Sequence, residues 1–112
     1  MTWAVSHYQT RSGTVPVRDF VEGLADAAKV EAVALLRLLP LGTALREPRS
    51  KALGDGLFEL RGRAEGVRIF YMFRPGRRVL VLDGYLKKRQ DIPSAVLARV
   101  RAFKRDAEER KA

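Results

Sequence analysis

The sequence predicts a small α+β protein in which a curved, mostly antiparallel sheet packs against a helical pair and a C-terminal helix. Three observations predict this class. Apolar residues alternate with period two in three neighbouring segments joined by glycine-containing turns, which is typical of an antiparallel meander. Two segments with helical spacing of apolar residues precede the meander, and one follows it. A strand candidate at the amino terminus completes the order β-α-α-β-β-β-α.

The first half of the chain is predicted to form one strand and two helices. Residues 3–10 alternate as a strand that we expect to join the meander, and the loop "RSGTVPV" follows. A first helix is expected over residues 16–25, and a second over residues 27–39 with Asp26 as its N-cap. The second helix has little polar face, so its composition predicts that it is well buried.

A polar, basic loop, "TALREPRSKALGDG" at residues 43–56, is predicted between the helical pair and the meander. Loops of this length are uncommon in compact domains and are often functional. The meander strands are expected over residues 57–63, 67–74 and 78–86. Because the helical pair covers one face of the sheet, the other face can stay open to solvent or to a ligand.

The last helix is expected over residues 94–111, with Pro93 at its start. Val96, Val100, Phe103 and Ala107 form one apolar stripe, and the opposite face is charged. The 112 residues contain no repeat and no linker composition, so residues 1–112 are predicted to form one domain.

The composition excludes several classes of function. Without cysteine and with His7 as its single histidine, the chain offers no disulfide framework and no cysteine- or multi-histidine metal site, and we expect no cofactor. The longest apolar stretch, at residues 32–41, is too short to span a membrane and contains Arg37. The amino terminus does not resemble a signal peptide. We therefore expect a cytoplasmic protein with no membrane partner.

The net charge of +9 lies entirely in residues 44–112, which carry eighteen basic and nine acidic side chains, whereas residues 1–43 carry four of each. A one-sided basic excess is expected of a protein that binds nucleic acid or an acidic protein. The alternative is a soluble protein whose arginines reflect only the composition of its proteome.

Period-two alternation gives each meander strand one apolar and one mixed face. Arg61, Arg68 and Lys87 belong to the mixed faces, and they converge with Glu59 and Tyr85 if those faces align. In the third strand, alternation groups Leu80, Leu82, Gly84 and Leu86 against Val79, Val81, Asp83, Tyr85 and Lys87. The alternative is that the cations form exposed cross-strand pairs, which contribute only about 0.2–1 kcal/mol each.

Three ordered motifs are specific enough to indicate a family. They are "GLFELR" at residues 56–61, "RIFY" at residues 68–71, and "GYLKK" at residues 84–88 followed by Pro93. Together they resemble the RelE/HigB toxins of bacterial type II toxin–antitoxin systems, and most closely the branch described as phage-derived proteins. The resemblance covers residues 51–105, whereas the first half matches only in layout. It implies a RelE-like fold and an mRNA interferase that cleaves messenger RNA on the ribosome.

The chemistry implied by this resemblance is attack of a ribose 2′-hydroxyl on the adjacent phosphate, which needs a base, an acid and cations. The resemblance implies Arg61 and Arg68 as the phosphate-stabilising pair, since guanidinium groups clamp phosphate bidentately. Lys87 and Tyr85 complete the predicted catalytic set, through proton transfer or base stacking. Further contacts to RNA phosphates are expected from Lys51, Lys88, Arg89 and Arg49. Arg63, at the turn, is expected to add only general electrostatics.

The general base is left open by the sequence. Several members of the superfamily place a histidine near the end of the sheet, but His7 lies in the first strand and is expected to pack or face solvent. Lys87, Tyr85 and Glu59 therefore compete for the role. ParE-like toxins share the fold but act on gyrase and lack the catalytic set, so a non-nucleolytic toxin is one alternative. A non-toxic RNA-binding module is another.

The partners implied by the resemblance are the ribosome, messenger RNA and an antitoxin encoded by the adjacent gene. In this branch the antitoxin often carries a helix-turn-helix domain. We expect it to offer an acidic or amphipathic segment to the basic face of the toxin, because the charge of +9 favours such a partner.

Overall fold

The chain forms a five-stranded sheet with helices on both faces, in a computed structural model that describes residues 2–42, 49–88 and 91–112. The elements in chain order are β1 (Ala4–His7), α1 (Pro16–Glu22), α2 (Asp26–Leu38), a short 3₁₀ helix (Leu39–Leu41), β2 (Ser50–Gly54), β3 (Leu57–Arg61), β4 (Val67–Arg74), β5 (Arg78–Leu86) and α3 (Ser94–Glu109). The strand order is β1-β5-β4-β3-β2, with β1 parallel to β5 and the other pairs antiparallel. The predicted α+β class and the mostly antiparallel sheet are confirmed.

The helical pair is shorter and less buried than the sequence predicts. Helix α1 begins at Pro16 and ends at Glu22, where Gly23 forms the C-cap, so the prediction that it reaches residue 25 is wrong. Ala25 is the N-cap of α2, and Asp26 is its first residue. The carboxylate of Asp26 therefore stabilises the helix by its negative charge near the positive end of the helix dipole, and not as a cap. Val30 is 71% exposed, because only one side of α2 faces the sheet.

Strand β2 was missed by the sequence prediction, which assigned residues 43–56 to a loop. Residues 43–48 of that segment lie outside the described ranges, and Ser50–Gly54 pair antiparallel with β3. A tight turn at residues 54–56 follows, in which Asp55 adopts a positive φ of 55° between two glycines that also have positive φ. The sequence of this segment carries no clear alternation of apolar residues, because β2 is a polar strand at the edge of the sheet. Lysine is typical of such edges.

A β-bulge in β5 overturns the predicted division of that strand into two faces. Phe70 of β4 is opposite Asp83, but Tyr71 is opposite Val81, so Leu82 is an extra residue without a partner in β4. Because one extra residue reverses the alternation, Leu80 and Leu82 share a face with Asp83 and Tyr85, and not with Gly84 and Leu86 as predicted.

Two separate cores follow from the alternation of the strands. One core lies between the sheet and the helical pair, and includes Leu60, Ile69 and Tyr71. The other lies between the sheet and α3, where Val96 and Val100 pack against Phe70. Helix α3 therefore covers this core on the second face of the sheet, so that face is not left open as a whole, as was expected. The apolar stripe of α3 accounts for this packing. None of the helices that the structure describes is long and apolar enough to cross a membrane.

Candidate functional site

One row of residues crosses β3, β4 and β5 at the end of the sheet where β3 ends and β4 begins, and it extends to Arg49, which directly precedes β2. Arg61 lies directly opposite Arg68, and Arg68 lies directly opposite Tyr85. On the other side, the backbone N–H of Arg61 donates to the carbonyl oxygen of Arg49 at 2.8 Å. Because opposed residues point to the same face of a sheet, the mixed faces of β3, β4 and β5 align at this row.

A pocket of about 190 Å³ opens at this row, and its described walls are four arginines and one glycine. These residues are Arg49, Arg61, Gly62, Arg63 and Arg68. Arg63, which the sequence assigned to general electrostatics, thus lines the same pocket as the predicted phosphate-stabilising pair.

Two of the arginines are held by specific partners. Arg61 Nε donates to Glu59 Oε1 at 3.0 Å, and the side chain of Glu59 is only 5% exposed. Arg68 Nη1 donates to the carbonyl oxygens of Gly62 at 3.3 Å and Val67 at 3.1 Å. These bonds fix the guanidinium groups before any ligand arrives, which is the arrangement that anion recognition requires.

The Nε atoms of Arg49 and Arg68 are buried, and within the described ranges neither has a hydrogen-bond partner. Buried N–H groups that make no hydrogen bond are rare, since each forfeits the hydrogen bonds that it made to water. Both residues also line the arginine pocket, whose concentration of positive charge favours the binding of an anion.

The other predicted site residues are distributed around this pocket. Tyr85 and Lys88 line a different cleft of about 690 Å³, shared with Asp83, Arg99 and Phe20. Lys51 is exposed on β2, opposite Glu59. Lys87 is half-buried, and its backbone N–H donates to the Gly66 carbonyl oxygen at 2.8 Å. Arg89 lies outside the described residues.

The candidate bases differ in their surroundings. Glu59 is engaged with Arg61, so its carboxylate serves to orient that guanidinium. His7 is exposed on β1, where it lines a separate groove beside the helical pair, and partial desolvation lowers the pKa of its imidazole. Tyr85 lies opposite Arg68, and Lys87 follows it by two residues. Across residues 2–42, 49–88 and 91–112, no three histidine or carboxylate side chains cluster closely enough to hold a metal ion.

Glu31 on α2 is a residue of this site that the sequence did not indicate. Its Oε1 accepts from the backbone N–H of Ala64 at 2.7 Å, and its Oε2 accepts from those of Glu65 at 2.9 Å and Val67 at 3.3 Å. The first two amides belong to the turn between β3 and β4, which carries Arg63, and Val67 is the first residue of β4. A single glutamate on an amphipathic helix gives no sequence signal of a contact 33 residues away.

The glycine of the "GYLKK" motif has a packing reason. A Cβ atom on Gly84 would lie 2.2 Å from Cδ2 of Phe20, so only glycine lets α1 pack this closely against β5. The motif therefore fixes the position of the strand end that presents Tyr85.

Comparisons with known proteins agree with this architecture. Residues 19–105 match the family described as Phage derived protein Gp49-like (DUF891). Among solved structures, the isolated E. coli RelE toxin is similar, with a TM-score of 0.53 and 13% identity over 88% of this chain and 98% of that chain. A search of curated proteins found no match.

The fold is that of the RelE class of toxins, since the similarity at 13% identity extends over almost the whole of the RelE chain. The chain belongs to the Gp49-like family of phage-derived proteins, because the family match covers residues 19–105. The resemblance read from the three sequence motifs is thereby confirmed, since the chain combines membership of the phage-derived family with a RelE-like fold.

Proposed function

We propose that the protein is the toxin of a type II toxin–antitoxin system and inhibits translation by cleaving messenger RNA on the ribosome. The observation that carries the proposal is the pocket lined by Arg49, Arg61, Arg63 and Arg68. Four guanidinium groups around about 190 Å³ create a strongly positive site, and phosphate is the anion of RNA that such a site fits.

The proposed reaction is an internal transesterification of RNA. The ribose 2′-oxygen attacks the adjacent phosphorus, the bond from phosphorus to the 5′-oxygen breaks, and the products are a 2′,3′-cyclic phosphate and a 5′-hydroxyl. The phosphorane that forms on the way carries additional negative charge, and fixed donors around it lower the barrier. Arg61 and Arg68 supply these donors in our proposal, because their guanidinium groups are already held by Glu59 and by the carbonyls of Gly62 and Val67.

Proton transfer is assigned to the residues at the end of β5. Tyr85 is directly opposite Arg68, so its phenol lies on the side of the sheet that carries the guanidinium row. It either takes part in proton transfer or stacks on an unpaired base, which is a common mode of single-stranded RNA recognition. Lys87 is the second candidate, and Lys51, Lys88 and Arg49 extend the positive surface along the RNA backbone.

The partners follow from the same proposal. The toxin acts on messenger RNA in the ribosome, in the cytoplasm, and an antitoxin from the adjacent gene holds it inactive. A net charge of +9 favours an acidic segment in that antitoxin.

The proposal is tested by inducing the protein in cells and mapping the 5′ ends of translated messengers. We expect new ends inside codons with the wild type and none above background with Arg68→Ala. Arg105→Ala, which removes an exposed arginine of α3, is the matched control and retains the cuts. Growth arrest with intact messengers and relaxed or broken DNA would contradict the proposal and indicate a toxin that acts on gyrase. Normal growth would indicate a non-toxic RNA-binding module.

A further inference from the structure

We infer that Glu31 is a positioning residue for the arginine pocket, and that it acts by fixing the turn at residues 62–66. The inference rests on the proposed RNA cleavage, because it assigns a role in that reaction. Glu31 is far from the pocket in sequence, and its helix packs on the opposite side of the sheet from α3. Its carboxylate nevertheless accepts hydrogen bonds from two backbone N–H groups of the turn and from that of Val67, the residue that follows it.

The close approach of Glu31 depends on Gly62. A Cβ atom at residue 62 would lie 2.4 Å from Cδ of Glu31, so any side chain there displaces the carboxylate. At the other end of the turn, Gly66 has a φ of 78°, and a Cβ atom there would lie 2.5 Å from the carbonyl oxygen of Lys87. The turn is therefore held from both ends, by α2 on one side and on the other by Lys87, which directly follows β5 and donates its backbone N–H to the Gly66 carbonyl oxygen at 2.8 Å.

The fixed turn forms part of the pocket wall. Gly62 and Arg63 line the pocket, and Arg68 Nη1 donates to the carbonyl oxygen of Gly62 at 3.3 Å. Glu31 itself lines an adjoining pocket together with Arg49, Arg61 and Arg63. A change in the turn thus moves Arg63 directly and alters the bond that orients Arg68.

The carboxylate is chemically suited to this role. It has only acceptor oxygens, so all three N–H groups find a partner, and an anion among backbone dipoles is favourable. Glutamine has the same shape but replaces one oxygen by an amide nitrogen, which is a donor. At least one of the three backbone N–H groups then faces another donor, so the turn loses its fixed geometry. The packing of α2 stays the same, because glutamine has the same shape.

The inference is tested with Glu31→Gln in a purified system of ribosomes and messenger. We expect kcat to fall about 10–100-fold, a range typical for a loss of positioning around a reacting group, while the thermal midpoint changes little. Amide hydrogen exchange at Ala64, Glu65 and Val67 should accelerate. Glu22→Gln, which removes an exposed carboxylate at the end of α1, is the matched control and leaves kcat and these amides unchanged.

A second readout separates this inference from the proposed function. Affinity for a short 2′-O-methyl RNA, which cannot be cleaved, reports on the pocket even if the wild type cuts no messenger. We expect Glu31→Gln to weaken this affinity. Faster exchange of the three amides with unchanged kcat and unchanged affinity would overturn the inference. If Glu31→Gln unfolds at the assay temperature, Gly62→Ala provides the same test, because its methyl group displaces the carboxylate and leaves the charge in place.

Discussion

Arg61 and Arg68 face each other directly across β3 and β4, so two guanidinium groups occupy opposed positions on one face of the sheet. Like charges in this arrangement destabilise a sheet. Glu59 compensates Arg61, whereas Arg68 has only the carbonyl oxygens of Gly62 and Val67 as described partners of its guanidinium group. The opposed pair of arginines therefore does not stabilise the fold. A bound anion would balance the two positive charges, which gives the pair a role in binding.

This relationship predicts that Arg68 contributes to activity and not to stability. Arg68→Gln removes the charge and keeps most of the side-chain length. We expect cleavage of ribosome-bound messenger to fall by about 10²–10³, the effect of losing one donor to a developing oxyanion. Chemical denaturation should show equal or greater stability, because the repulsion is relieved. A large loss of stability with full cleavage would contradict both parts, and Arg105→Gln is the control with the same change of charge.

The position of Arg63 leads to a prediction that differs from the sequence interpretation. Since Arg63 lines the arginine pocket, Arg63→Ala should weaken binding of a 2′-O-methyl RNA. It should also reduce the slope of log affinity against log salt by about 0.7, the value for one phosphate contact to a single strand. The measurement is a titration at several salt concentrations. An unchanged slope would show that Arg63 makes no phosphate contact and adds only to the overall positive charge. Arg105→Ala is again the control.

Gly84 is predicted to be replaceable only at a cost in stability. Gly84→Ala places its methyl group against the ring of Phe20 and should destabilise the protein by about 1–3 kcal/mol, as overpacking does. In a double-mutant cycle with Phe20→Ala, the two losses should not add, since the smaller residue removes the clash. Urea denaturation measures each variant. Gly23→Ala, whose Cβ would lie 3.5 Å from its nearest neighbour, is the control. Strict additivity would contradict the packing account.

The carboxylate of Asp106, on α3, is predicted to make the stability of the fold depend on pH. Tyr8 and Arg11 donate to the carboxylate of Asp106, Arg110 forms an ion pair with it at 2.7 Å, and the bonds from Tyr8 and Arg11 hold its pKa at about 2. An unfolded aspartate has a pKa of about 3.9, so this carboxylate stabilises the fold above that value. The stabilisation is lost as the pH falls from about 5 toward 2.

Asp106→Asn tests this dependence. Its thermal midpoint should lie below that of the wild type near neutral pH, and the difference should vanish as the pH approaches 2. A series of melting curves from about pH 7 to pH 2 is the measurement, with Asp19→Asn, on an exposed face of α1, as the control. A difference that is constant over the whole pH range would show that Asp106 acts through packing alone.

The sequence predicted the parts of the fold that depend on local patterns. The three meander strands have regular alternation and glycine turns, and the stripe from Val96 to Ala107 defines the inner face of α3. The direct opposition of Arg61 and Arg68 was not among them, because the alternation places both on mixed faces but leaves the register of the two strands open.

The remaining features depend on contacts between distant segments. Strand β2 is polar and is stabilised mainly by pairing with β3, so its own residues carry little strand pattern. The bulge at Leu82 inserts one residue within an otherwise apolar run, where every residue suits either face. Glu31 reaches its amides only after α2 has docked on the sheet. The arginine pocket depends on two of these contacts, since the pairing of β2 with β3 brings the preceding residue Arg49 to it, and Arg63 lies in the turn that Glu31 holds.

The chemistry of the RNA ends tests the central claim most directly. Purified ribosomes carrying a defined messenger are incubated with the wild type and with Arg68→Ala, and mass spectrometry identifies both ends at each cut. The account predicts 2′,3′-cyclic phosphate and 5′-hydroxyl ends with the wild type, and an uncut messenger with Arg68→Ala. A messenger that stays intact with the wild type, or cuts that leave 3′-hydroxyl and 5′-phosphate ends, would contradict it.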